Sequence, residues 1–168
     1  MTTHTERGAL ARILGPHDGQ TLGSPDGVRD RFMVDATDSG GGFSLVEHLM
    51  APRSLAAPVH RHSREDEYTF VLEGRPGILL GEQEVFPGVG DLVFKPRDQW
   101  HTFWNAGDAP ARVLEIICPG GLEELFKVLD LMTHEPEPEE MASLAARYGC
   151  DIDLDATGPL MERHGLSF

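Results

Sequence analysis

Between residues 28 and 118 apolar residues alternate with polar ones, or gather in short runs, and the runs are punctuated by Gly, Pro and Asp. That rhythm predicts antiparallel strands joined by tight turns. Eight segments carry it: 28–36, 43–50, 67–73, 77–80, 84–86, 91–94, 101–105 and 111–118. Eight short strands predict an all-β body, a closed barrel or a two-sheet jelly roll, because these arrangements manage the open edges of antiparallel sheets.

After Cys118 the period changes. Leu122, Leu125, Phe126, Leu129 and Met132 form one stripe at helical spacing, which predicts a helix packed on the barrel. A second helix is expected over about 138–148, with Pro138 in its first turn, Glu139 and Glu140 at the positive end of its dipole, and Gly149 as its cap. Residues 135–138, Glu-Pro-Glu-Pro, link the two. The chain is thus expected to divide into an N-terminal arm (1–27), a barrel (28–118) and a helical tail packed on the barrel (119–168).

Composition sharpens this picture. The 168 residues suit one domain with one core, and 19 Gly and 12 Pro suit many turns. The formal charge is −14, and the tail alone carries 11 acidic against 3 basic side chains. Such a charge repels phosphate backbones and argues against a nucleic-acid partner. No apolar run approaches the roughly 20 residues of a membrane span. Residues 1–7 are polar and lead into no apolar stretch of the secretory kind, so a cytoplasmic location is expected. Cys118 and Cys150 are expected to be reduced, since a domain of this size needs no disulfide. The segment 10–14 has the character of a strand that pairs with a partner's edge, and a homodimer is the expected assembly.

The chemistry concentrates in two stretches. His60 and His62 are two apart, so on an extended backbone both imidazoles project from one face, and the carboxylate of Glu67 follows after a polar turn. A third imidazole, His101, opens another strand-like run. Three neutral imidazoles and one carboxylate suit Fe, Mn, Ni, Cu, Co or Zn as divalent ions and suit calcium poorly. In the tail, Asp151, Asp153, Asp155 and Glu162 match the ligand offsets of a calcium-binding loop, but Ala156 stands where the sharp turn needs Gly, and Pro159 interrupts. An acidic, solvated tail that folds over the barrel is the expectation there.

The two stretches resemble the cupin superfamily. Its first motif, G-x5-H-x-H-x3-4-E-x6-G, is met by His60, His62, Glu67 and Gly74; its second, G-x5-P-x-G-x2-H-x3-N, by Gly90, Pro96, His101 and Asn105. Ser54 and Asp98 replace two motif glycines at turns. The short spacer between Gly74 and Gly90 resembles small single-domain bacterial cupins, including those similar to quercetin dioxygenases. The resemblance implies a cupin jelly-roll barrel with a short C-terminal helical tail, in which His60, His62, Glu67 and His101 hold one divalent metal.

It further implies, as first expectation, a metal-dependent dioxygenase-type oxidoreductase acting on a small organic molecule, with Glu67 as ligand or as catalytic base. A metal-dependent isomerase or epimerase and a non-catalytic small-ligand-binding cupin are the alternatives. Expected pocket residues are Glu47, His48 and Met50 before the first motif, Tyr68 and Phe70 after it, and Phe94, Phe103 and Trp104 around the second. Phe103 and Trp104 face opposite ways on a strand, so at most one lines the cavity. Arg53 and Arg61 are read as solvated surface residues that stand near an anionic substrate's path.

Overall fold

The computed structural model describes residues 11–134 and 136–168. Of the segment 10–14, Leu10 lies outside the described residues, and 11–14 form no strand. The elements run β1 (Gln20–Gly23), β2 (Val28–Val34), α1 (Ala36–Ser39), β3 (Ser44–Met50), β4 (Val59–His62), β5 (Asp66–Glu73), β6 (Pro76–Leu80) and β7 (Gln83–Val85). They continue with β8 (Leu92–Lys95), β9 (His101–Asn105), β10 (Ala111–Cys118), α2 (Glu123–Asp130), α3 (Pro138–Arg147), β11 (Cys150–Asp153) and α4 (Leu154–His164). All eight predicted strands are present, and so are both predicted helices.

Two antiparallel sheets face each other, in the orders β1-β2-β3-β10-β5-β8 and β11-β4-β9-β6-β7. This is the jelly-roll arrangement. The alternation of β10 shows why the sheets close on each other: Ala111, Val113, Glu115 and Ile117 are buried inside, while Arg112, Leu114 and Ile116 lie half-buried outside. At one end of the interior Met50, Ile78, Phe103, Ala111 and Val113 pack together. At the other, Phe32, Val46 and Ile117 meet Leu122 and Leu125 of the α2 region, Ala145 of α3 and Cys150 of β11. The apolar stripe read from the sequence is therefore the face that α2 turns to the barrel.

The tail is more structured than a solvated acidic segment. Asp151 and Asp153 sit on β11, a strand of the five-stranded sheet, while Asp155 and Glu162 sit on α4. Asp153 caps α4 by accepting the Ala156 N–H at 2.8 Å, and Asp151 pairs with Arg61 at 3.0 Å. A calcium loop is thus replaced by a strand and a helix. Leu160 of α4 and Leu166 beyond it pack with Leu55, Val59 and Trp104 on the outer face of the sheet. The sheets accordingly extend beyond 28–118 at both ends, through β1 and β11. Cys118 and Cys150 are both free thiols. No described helix is long and apolar enough to cross a membrane.

Two turns bear on the motif departures. Asp98, standing for a motif glycine, adopts φ 64°, a left-handed conformation that Asp tolerates better than most residues. Gly74 has φ 80°, and a Cβ there would lie 2.6 Å from that of Ala111. At the other departure the left-handed residue is Arg53 (φ 59°), while buried Ser54 bonds its hydroxyl to the Ala51 carbonyl at 2.9 Å.

Candidate metal centre

His60 and His62 come from β4, Glu67 from β5 and His101 from β9, all on the inward face and all buried. His60 lies opposite His101 in the ladder, which brings their ring centroids to 4.4 Å. One donor atom from each of the four residues falls within 4.8 Å of the others.

The hydrogen bonds behind the rings decide which atoms face inward. Nδ1 of His60 donates to the Pro58 carbonyl at 2.7 Å, that of His101 to the Gln99 carbonyl at 2.8 Å, and that of His62 to the Glu65 carbonyl at 3.3 Å. A carbonyl only accepts, so each Nδ1 carries a proton, and in the neutral ring that a metal needs each Nε2 presents a lone pair to the centre. The His62 Nε2 is buried 3.4 Å from one Glu67 oxygen, and that of His101 stands 3.1 Å from the other. Converging lone pairs beside a carboxylate call for a cation, and the nitrogen and oxygen donors fit a divalent transition ion. Buried His60, His62, Glu67 and His101 can therefore hold a metal ion.

Electrostatics divide the three rings: burial opposes a charge on His62, yet Glu67 outweighs it and raises this imidazole. Burial, then the neighbouring His101 and His62, push His60 well below the usual imidazole range. Burial likewise lowers His101. Burial opposes the Glu67 charge, yet Lys95 and His62 outweigh it and hold this carboxyl well below its ordinary range. Glu67 is thus ionised, as a ligand must be.

Lys95 is the residue that sequence reasoning passed over. It is fully buried, with Nζ 2.7 Å from Glu67 and 3.0 Å from Glu115, and both Glu115 oxygens accept from the Thr69 hydroxyl. Its signal was available: Leu92 through Lys95 form a strand, and Lys95 shares parity with the inward Val93. Asp30 was likewise missed. It lies opposite His48 in the ladder and accepts from His48 Nδ1 at 2.7 Å.

A cavity of about 980 Å³ opens beside this centre. His60 and Glu67 lie at its wall, with Asp30, His48, Glu115 and Asp130 as further polar groups. The rest is mainly apolar, including Phe103, Leu125, Phe126, Leu129, Met141 and Ile152, so the tail closes the barrel mouth.

Of the expected pocket residues, His48 and Phe103 line this cavity. The others do not, and strand parity explains most of them. Glu47 points outward, into Arg31 at 2.7 Å and Arg112 at 2.6 Å. Tyr68 follows inward Glu67 and so faces out, where it stacks on half-exposed Phe94 at 5.0 Å. Phe70 shares that outward parity. Trp104 is buried outside the barrel against Leu160, opposite in direction to Phe103. Met50 does face inward, but it packs in the barrel's apolar end. Arg53 pairs with Asp108 at 2.7 Å, and Arg61 lies over Trp100 at 4.7 Å; both are away from the cavity wall.

Residues 46–117 match the Cupin domain family. Tetracenomycin polyketide synthase protein TcmJ of Streptomyces glaucescens is 26% identical over 93 residues, 55% of this chain and 62% of that protein. The match thus spans less than two thirds of the relative's length. A cupin-superfamily sugar phosphate isomerase from Silicibacter pomeroyi superposes with a TM-score of 0.55 at 25% identity, over 64% of this chain and 75% of that one. The polyketide cyclase RemF from Streptomyces resistomycificus superposes at 0.57 with 23% identity, over 65% and 80%. Motif residues, two-sheet barrel and the match to the Cupin domain family fall on one stretch, residues 46–117, which is less than half of the chain.

Proposed function

We propose that this protein is a metal-dependent enzyme acting on a small, largely apolar molecule that carries oxygen functions, by proton transfer next to a carbonyl or enol. The observation that carries the reading is the position of the His60/His62/Glu67/His101 cluster on the wall of a cavity otherwise lined mainly by apolar side chains. A divalent ion bound there supplies Lewis-acid polarisation of a substrate oxygen. The three imidazoles would hold the ion, Glu67, kept charged by Lys95, would complete the ligand set or swing off to take the substrate proton, and the α2 and α3 walls cover the site. Two relatives that the chain resembles are named for a polyketide synthase and a sugar phosphate isomerase, and neither name speaks of oxygen insertion.

A second reading, a dioxygenase-type oxidoreductase, is favoured by the donor set itself. Three imidazoles, one carboxylate and no thiolate suit iron, manganese, nickel or copper as well as zinc.

Elemental analysis tests both, on protein purified without an affinity-tag metal, beside His101→Ala. About one metal per chain, lost in the variant, is the expected result. Deuterium exchange from D2O into aryl ketones then supports proton transfer, and oxygen uptake on flavonols supports the dioxygenase. A chain that takes up no metal even after reconstitution overturns both and leaves a small-ligand-binding protein.

A further inference from the structure

His48 is an acid–base group that the metal centre does not use. Its side chain sits inside the barrel on β3, 5% exposed, and lines the cavity. The Asp30 carboxylate accepts from its Nδ1, while its Nε2 is buried without any partner. A buried polar atom left without a partner is costly unless something binds it. Phe103 and Phe126 hold the ring edge-on, with centroids at 5.1 and 5.9 Å. Neither aromatic side chain offers a hydrogen-bond acceptor atom. Burial works against a charged imidazole, yet Asp30 and then Glu115 outweigh it, so His48 titrates above its ordinary value. The Asp30 carboxylate at 2.7 Å favours the imidazolium form, in which Nε2 also carries a proton.

We propose that His48 is a second, metal-independent anchor for substrate, whose Nε2–H donates to a carbonyl oxygen on the apolar body of the molecule. The inference rests on reading the cavity as the substrate site, and it narrows the substrate class to molecules with two separated oxygen functions. One meets the metal centre and the other meets His48. Asp30 acts as a positioning residue, since it fixes the ring and keeps Nδ1 occupied. A carbonyl fits better than a carboxylate, because Asp130 lines the same cavity and, when ionised, repels a second negative charge.

The test uses two probes that differ by one carbonyl oxygen, 1-tetralone and tetralin, titrated into the full chain and into His48→Phe, each also in the His101→Ala background. Tetralone is expected to bind about tenfold more tightly than tetralin, the worth of one hydrogen bond to a charged donor. His48→Phe should remove that preference with tetralin unaffected, and the preference should survive His101→Ala. Nitrogen NMR of His48 in the unaltered chain supplies a reading that does not depend on the variant folding: Nε2 should shift with tetralone and stay with tetralin. Equal affinities, no measurable binding of either probe, or an unmoved Nε2 overturns the inference. A preference abolished by His101→Ala but not by His48→Phe also overturns it, and leaves the metal reading standing. A preference that persists in protein unable to take up metal keeps this inference while the metal reading fails.

Discussion

Removing the Lys95 ammonium leaves Glu67 and Glu115 as two buried carboxylates with no shared cation. In metal-free protein Lys95→Met should therefore destabilise the fold by roughly 3–5 kcal/mol, the usual cost of breaking one side of a buried ion pair. Urea unfolding checks this, and a loss below about 1 kcal/mol would show that Lys95 does not hold the pair. The same residues show how far single positions were legible. The four ligands stood out because two motifs with fixed spacing carry them, and Asp98 was readable as a glycine substitute because Asp accepts a positive φ. The pocket was read less well because aromatic character was weighed above parity. Glu67 pointing inward already sends Tyr68 outward, and Lys95 inward sends Phe94 outward. Lys95 was passed over although parity with Val93 places it inward, because the acceptors that allow its burial come from distant strands.

Among the elements, α2 and α4 carry separable predictions. Asp130 ends α2 partly buried, and burial together with the Asp30 charge raises its carboxyl from 3.8 to about 7, against the opposing pull of His48. The folded chain thus keeps a proton that the unfolded chain has lost between those values. The resulting stability is full below the unfolded pKa and is lost as pH rises through about 7. Asp130→Asn should be more stable than the unaltered chain at pH 8 and should lose that advantage towards pH 4. Thermal melts across this range decide it, and a constant gap between the two would refute the Asp130 assignment. For α4, Leu160→Ala opens a cavity over Trp104 and should cost roughly 2–5 kcal/mol with a red shift of tryptophan emission. An unshifted, undiminished protein would mean that α4 does not pack there. The eight expected strands and helices α2 and α3 were legible because each shows its own period. β11 and α4 were not, because four residues of a partly buried edge strand carry Asp at alternate positions, and Pro159 sits inside the helix. What holds them is tertiary: the backbone of Val59 donates to the Thr157 hydroxyl at 2.9 Å, and β11 pairs along β4.

For the whole molecule, a homodimer remains our proposal for assembly. β8 is the outermost strand of the six-stranded sheet and shows Leu92 and Phe94 more than half or half exposed. Light scattering should give twice the chain mass of 18.4 kDa, and a mass near 18 kDa removes the idea. The barrel as a whole was legible because its two sheets repeat one alternating pattern, whereas the closing of its mouth depends on how the tail is routed. That routing has a mechanical meaning. Cys150 and Ile152 of β11 lie opposite His62 and His60, and they are flanked in sequence by α3 and α4. Part of the cavity wall is thus paired along the backbone that sets the spacing of two imidazoles. Any coupling between filling the cavity and holding an ion would act equally in both directions, whatever its sign, as thermodynamic linkage between two sites requires.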